Sequence, residues 1–154
     1  LARRYCVRVD LRPIVAFALV SAGCLGPDCA IEAYVDDFFD DHDAIDCRFA
    51  HQISSYGETS LVGAEVVREC IADALANRKA FVGGYLIAGI DSSSTTAFLG
   101  DARGSTRVIV QSYDVSGQRS MSHMRCSSLA QQVDRYEGIG FTCLDGRLEP
   151  LCDE

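Results

Sequence analysis

Cysteines are the residues whose chemistry this sequence constrains most. Eight occur in 154 residues. No two of them are separated by two residues, and no histidine pair has zinc-ligand spacing, so neither a zinc site nor a thioredoxin-like redox motif is indicated. Disulfide formation in an oxidising compartment is the simplest chemistry that remains. The eight are Cys6, Cys24, Cys29, Cys47, Cys70, Cys126, Cys143 and Cys152.

The segment before Cys24 has the order of regions found in a secretory signal. Four arginines precede an apolar run of ten residues, Ile14–Gly23, which ends in the small residues Ser21, Ala22 and Gly23. A bilayer-spanning helix needs about 20 apolar residues, so a permanent span is not expected here. We therefore predict that residues 1–23 are a signal segment and that residues 24–154 form a single exported domain. A buried structural helix or an organelle-targeting sequence is the lesser alternative.

Two processing outcomes compete at Cys24. Ser21-Ala-Gly-Cys24 resembles the lipobox of bacterial lipoproteins, although Ser21 stands where Leu or Val is usual, while Val20-Ser-Ala22 also fits ordinary signal peptidase. Loss of Cys6 with the signal and acylation of Cys24 would leave six cysteines for three disulfides, whereas simple secretion would leave seven. The chain is thus expected either at the cell envelope, touching the membrane only through a lipid anchor, or in the medium.

The charge of the chain argues against nucleic acid as a partner. Residues 1–22 contain four arginines and one aspartate, so the remaining residues contain 10 basic and 21 acidic side chains, a net charge of −11. Such a charge repels a phosphate backbone unless a basic cluster offsets it, and the sequence shows no such cluster.

Two polar runs were considered as a metal site and as a source of a serine nucleophile, and neither has the motif that such a site requires. Helical spacing would pair Asp36 with Asp40 and Asp37 with Asp41, which could hold a hard cation, but the run lacks the glycine and glutamate of an EF-hand, and a solvated helix face is favoured. The hydroxyl-rich residues 91–96 lack the context of a serine nucleophile. We predict neither a metal site nor a cofactor.

The spacing of apolar residues predicts the helices and strands. Apolar residues at helical spacing predict helices over residues 28–41, 43–51 and 63–77, and alternating or β-branched runs after Asn77 predict strands. Asp145-Gly146 indicates a closing hairpin. The expected fold class is α+β, with three N-terminal helices on a curved antiparallel sheet. Within it, adjacent helices would join Cys47 with Cys70, neighbouring strands would join Cys126 with Cys143, and the hairpin register argues against a Cys143–Cys152 bond.

The order of these pieces resembles the nuclear transport factor 2-like family, whose cone-shaped members include ketosteroid isomerases and polyketide cyclases. The matching segments are Ile31–Val35, His42–Ile45 with Arg48–Ala50, Leu61–Arg68 and Leu144–Leu148. The resemblance implies an apolar pocket between helices and sheet, used by some members for catalysis and by others for binding or dimerisation. It also places Tyr34 where isomerases carry an oxyanion-holding tyrosine, but Ser54–Gly57 lacks the carboxylate base that should follow.

Four residues are candidates for lining such a pocket. Tyr34 and Phe38 lie one turn apart on the first helix, and they would face Tyr113 and His123 on the sheet. Alternation places His123 on one strand face with Met121 and Arg125. The expected function is non-catalytic binding of a small apolar ligand or a protein partner, with a homodimer as one form. The alternatives are an isomerase- or cyclase-type enzyme acting on a small carbonyl compound, and a disulfide-stapled structural envelope protein without a pocket.

Overall fold

The computed structural model describes residues 30–55, 58–89, 91–131 and 139–153. Within these ranges the chain forms two α-helices, Ile31–Asp41 (α1) and Ala64–Ala76 (α2), and nine strands. The strands are Ile45–Ser55 (β1), Glu58–Val62 (β2), Phe81–Ala88 (β3), Ser93–Gly100 (β4), Thr106–Tyr113 (β5), Arg119–Cys126 (β6), Leu129–Gln131 (β7), Phe141–Cys143 (β8) and Glu149–Asp153 (β9).

Seven strands form one mixed sheet in the order β2-β1-β3-β4-β5-β6-β9. The chain crosses from β1 through β2 and α2 into β3, and β3 runs parallel to β1. The other neighbouring strands of this sheet are antiparallel. Strands β7 and β8 pair only with each other in a second, small sheet.

The large sheet buries apolar side chains on both faces because residues of its central strands alternate between two cores. Phe81, Phe98 and Val108 belong to the core on one side, where α2 packs over β1 and β3; we call this side the α2 face. Val82, Leu99 and Ile109 belong to the other core, where α1 packs over β4 and β5; we call it the α1 face.

The predicted three-helix, antiparallel architecture is wrong. Helices one and three are present as α1 and α2, but the segment predicted as a helix over residues 43–51 lies in β1, and the sheet contains the parallel pair β1 and β3. The helix over residues 43–51 was predicted from Ile45 and Phe49, four residues apart, but Ile45 packs against the α2-face core while Phe49 lies on the α1 face. A bulge at Arg48, whose backbone has a φ of 66°, separates the two residues, because the register with β3 shifts between Asp46 and Phe49.

The predicted Asp145-Gly146 hairpin is also wrong. Strand β8 pairs with β7, and β9 pairs with β6, so the segments on either side of this dipeptide belong to different sheets. The Asp145 carboxylate instead accepts hydrogen bonds from the backbone N–H and the hydroxyl of Ser127. This contact ties the small sheet to the end of β6.

Both cysteine pairs favoured from the sequence are disulfide-bonded. Cys47 joins Cys70 with a Cα–Cα distance of 5.5 Å, and Cys126 joins Cys143 at 5.4 Å. The partners are confirmed, but the elements differ from those expected. The first bond links strand β1 to helix α2, and the second links β6 to the small sheet. Cys152 is also disulfide-bonded.

Candidate functional site

Helix α1 places Tyr34 and Phe38 against the sheet, as the spacing of its apolar residues indicates. Both pack against the α1-face core, in which Ile31 is buried. The N-terminus of the helix is held by the Ile31 N–H, which donates a hydrogen bond of 3.1 Å to Oε1 of Gln111 on β5. The helix therefore has one defined position over β4 and β5.

The space between α1 and the sheet is occupied by core side chains. Ile109 and Met121 are fully buried there. Ile109, rather than Tyr113, lies opposite His123 in the register of β5 and β6. Tyr113 lies near the far end of β5, where its hydroxyl accepts a hydrogen bond of 2.9 Å from Gln111 Nε2 and the Arg119 guanidinium lies 5.3 Å from its ring centre. The four candidate lining residues share one face of the sheet, but Tyr113 and His123 lie apart.

His123 has an unusual environment at this face. Its side chain is 19 % exposed, its Nε2 lies 3.9 Å from Oε2 of Glu149 on β9, and its Nδ1 is buried without a hydrogen-bond partner. Burial lowers the pKa of His123, Arg107 and Arg125 lower it further, and Glu149 opposes them. The imidazole is therefore held in its neutral form near pH 7.

The sequence did not lead us to expect that two arginines would lie side by side next to His123. Arg107 on β5 lies directly opposite Arg125 on β6, on the same face as His123. Burial and the neighbouring Arg125 lower the pKa of the half-buried Arg107, while Tyr34 opposes them. We call Arg107, Arg125 and the neutral His123 the cationic cluster, after its two guanidinium groups. The Ser116-Gly117 dipeptide, a common turn sequence, was the available signal, because a hairpin centred on Ser116 pairs residue 107 with residue 125.

The α1 face has a second region, at the β2-β1-β3 end, that α1 does not cover. Phe49, Val62 and Leu86 are 37 %, 44 % and 38 % exposed there. His51 lies between Val62 and Leu86 in the strand register, and the Phe49 ring lies over Gly84, where a side chain would collide with it. We call this region, Phe49, His51, Ser60, Val62 and Leu86, the apolar patch. It contains no carboxylate, ammonium or guanidinium group.

The acidic run and the surface depressions lie elsewhere. Asp36, Asp37, Asp40 and Asp41 are exposed, and the described part of the chain holds no group of three His, Cys, Asp or Glu side chains placed to bind a metal ion.

One depression, of about 430 Å³, is lined by residues that include Arg103, Arg125, Ser127 and Asp145. Another, of about 470 Å³, is lined by residues that include His42, Arg78 and Lys79. Neither is lined by Tyr34, Phe38, Tyr113 or His123.

The described residues form a disulfide-bonded domain of helices and strands, in which a seven-stranded mixed sheet carries one described helix on each face. Comparisons with protein-family models, with curated proteins and with solved structures give no match. The resemblance to the nuclear transport factor 2-like family stays a prediction. None of the helices in the described ranges has the length and apolar character needed to cross a bilayer.

Proposed function

We propose that the protein is an exported, non-catalytic binding domain of the cell envelope, and that it binds a second copy of itself through the apolar patch. The observation that carries the proposal is the exposure of Phe49, Val62 and Leu86 on one uncovered sheet face. Contiguous exposed apolar side chains bordered by polar ones are typical of interaction sites.

A second copy can occupy the apolar patch despite the charge of the chain. The whole chain has a net charge of −8, so two copies repel each other over most of their surfaces. The five residues of the apolar patch carry no carboxylate, and interface cores are depleted in charged side chains. A two-fold axis would bring the same strands of both copies together, as in most homodimers.

Cysteine chemistry supports export. All five cysteines in the described ranges are disulfide-bonded, which is compatible with an oxidising location. The signal-like residues 1–23 agree with such a location.

The surroundings of Tyr34 support binding over catalysis. The charged group that interacts with Tyr34 is the Arg107 guanidinium, which is not a base that could abstract a proton. In the described ranges, no serine or cysteine side chain is hydrogen-bonded to a histidine. The isomerase- or cyclase-type enzyme stays the alternative.

Processing at Cys24 is the first test. We expect intact-mass analysis of the protein extracted from membranes to show loss of residues 1–23, acyl chains on Cys24 and three disulfides. The Cys24→Ala variant should leave the membrane fraction, because a single cysteine carries the anchor. A wild-type product that is soluble and unacylated would contradict the lipid anchor, although export would stand.

Self-association is the second test, performed on the soluble Cys24→Ala form. Leu86→Lys should weaken dimerisation at least about tenfold in sedimentation experiments, because a lysine charge would be buried against its symmetry mate. Val66→Lys is the matched control: Val66 is 63 % exposed on α2, away from the patch, and its change should leave the dimer within about twofold. A parent protein that stays monomeric, or equal weakening by both variants, would contradict the proposal.

A further inference from the structure

We propose that the cationic cluster, Arg107, Arg125 and His123, binds the carboxylate of a small organic acid beside helix α1. This site is separate from the apolar patch, and it does not depend on dimer formation.

The first argument is the arrangement of charge. Like charges placed directly opposite each other on antiparallel strands are unfavourable, yet Arg107 and Arg125 occupy such positions. Within the ranges that the structure describes, the Glu149 carboxylate near them lies 3.9 Å from Nε2 of His123, and neither guanidinium has a carboxylate partner. An anion bound between the two arginines would remove this repulsion.

The second argument is the hydrogen-bonding capacity that the site leaves unused. Arg107 is half-buried, and Nδ1 of His123 is buried without a hydrogen-bond partner. Buried polar atoms are normally hydrogen-bonded, and an exception indicates a missing partner. Guanidinium donors match the two oxygens of a carboxylate, which they bind in a bidentate manner.

The charges around the cluster select a small monoanion. Glu149 lies beside His123, and Asp145 lines the 430 Å³ depression that Arg125 also lines. Hydrogen bonds from Ser127 lower the pKa of Asp145 and keep it negative. These carboxylates, together with the net charge of −8, disfavour a dianionic phosphate or a polyanion. The depression next to Arg125 has the volume of a site for a small molecule, and it would receive the remainder of the acid.

Benzoate, its uncharged analogue benzamide and inorganic phosphate are the probes. We expect saturable backbone-amide shifts at Arg107, His123 and Arg125 with benzoate, and weaker binding of the other two compounds. Arg107→Gln should lower benzoate affinity about tenfold, because a charge-assisted hydrogen-bond pair is lost. Arg119→Gln is the matched control: it removes the same charge from an exposed position of β6, and it should change affinity less than about twofold.

The imidazole of His123 is a second reporter. Arg107 on β5, Arg125 on its own strand, Glu149 on β9 and Tyr34 beside Arg107 on α1 are the groups that face it. A bound carboxylate would offset the arginines, so the NMR titration of His123 should show a higher pKa with saturating benzoate than without it.

The outcomes separate a site from nonspecific attraction. Loss of affinity through unfolding is not expected in Arg107→Gln, because removing one of two opposed charges should not lower its melting temperature. Tighter binding of phosphate would overturn the carboxylate assignment. Equal shifts with benzamide, equal weakening by Arg119→Gln, or an unchanged His123 pKa would overturn the site.

Discussion

Replacement of both Cys47 and Cys70 by alanine is expected to lower the free energy of unfolding by about 3 kcal/mol. The bond closes a loop between residues 23 apart, and its loss gives the unfolded chain the entropy that the loop had removed. Cys47 is also 2 % exposed in the core between β1 and α2. Urea unfolding of the oxidised wild type and of the double variant measures the difference.

The second disulfide is the comparison for this prediction. Cys126 and Cys143 are 17 residues apart, and the entropy of loop closure depends only logarithmically on loop length. Their replacement by alanine should therefore cost within about 0.5 kcal/mol of the first variant. A loss below about 1 kcal/mol for the Cys47 and Cys70 variant would contradict the prediction.

Strands and cysteine partners were the features most accessible from the sequence. The run that ends at Tyr113 and the run that begins at Arg119 contain alternating or β-branched residues. They form β5 and β6, as that pattern predicts. The Cys47–Cys70 pair was predicted for a wrong reason, because the fold brings Cys47 to α2 from a strand. A correct contact can thus follow from an incorrect element when the order along the chain limits which segments become neighbours.

Two features of the fold cannot be predicted from the local spacing of apolar residues: a bulge within a strand and the order of the strands in the sheet. A bulge such as that at Arg48 changes the face of every later residue in its strand, and no spacing rule announces it. Sheet order is the other feature. Nothing local shows that β9 pairs with β6 instead of forming a hairpin with β8, and this pairing brings Glu149 to His123. Both errors concern relations between distant segments, which are established only when the whole core packs.

The candidate site was only partly accessible from the sequence. Alternation along β6 correctly placed His123 and Arg125 on one face with the buried Met121. Arg107 was missed because hydrophobic patterning draws attention to the apolar residues of β5 and not to the charged residue at its start. A search for charges that become opposed across a predicted turn would have found the pair.

Gly100→Ala is expected to destabilise the fold by about 3 kcal/mol, although it adds only one methyl group. Gly100 ends β4 and lies opposite Phe81 on β3, whose ring is fully buried. A Cβ at position 100 would overlap the Phe81 ring, so the ring must leave its place in the α2-face core. Chemical unfolding measures the loss.

The position of the Phe81 ring provides the test of this explanation. Phe81→Leu alone should cost about 1 kcal/mol, but it removes the ring atoms that the new methyl group would strike. The double variant Gly100→Ala with Phe81→Leu should therefore be more stable than the sum of the two losses predicts, by at least about 1 kcal/mol. Gly104→Ala is the control for backbone effects: its site is open, and its φ of 91° should cost only about 1 kcal/mol. Additive losses in the double variant would show that position 100 requires glycine for its backbone conformation and not because the Phe81 ring packs against it.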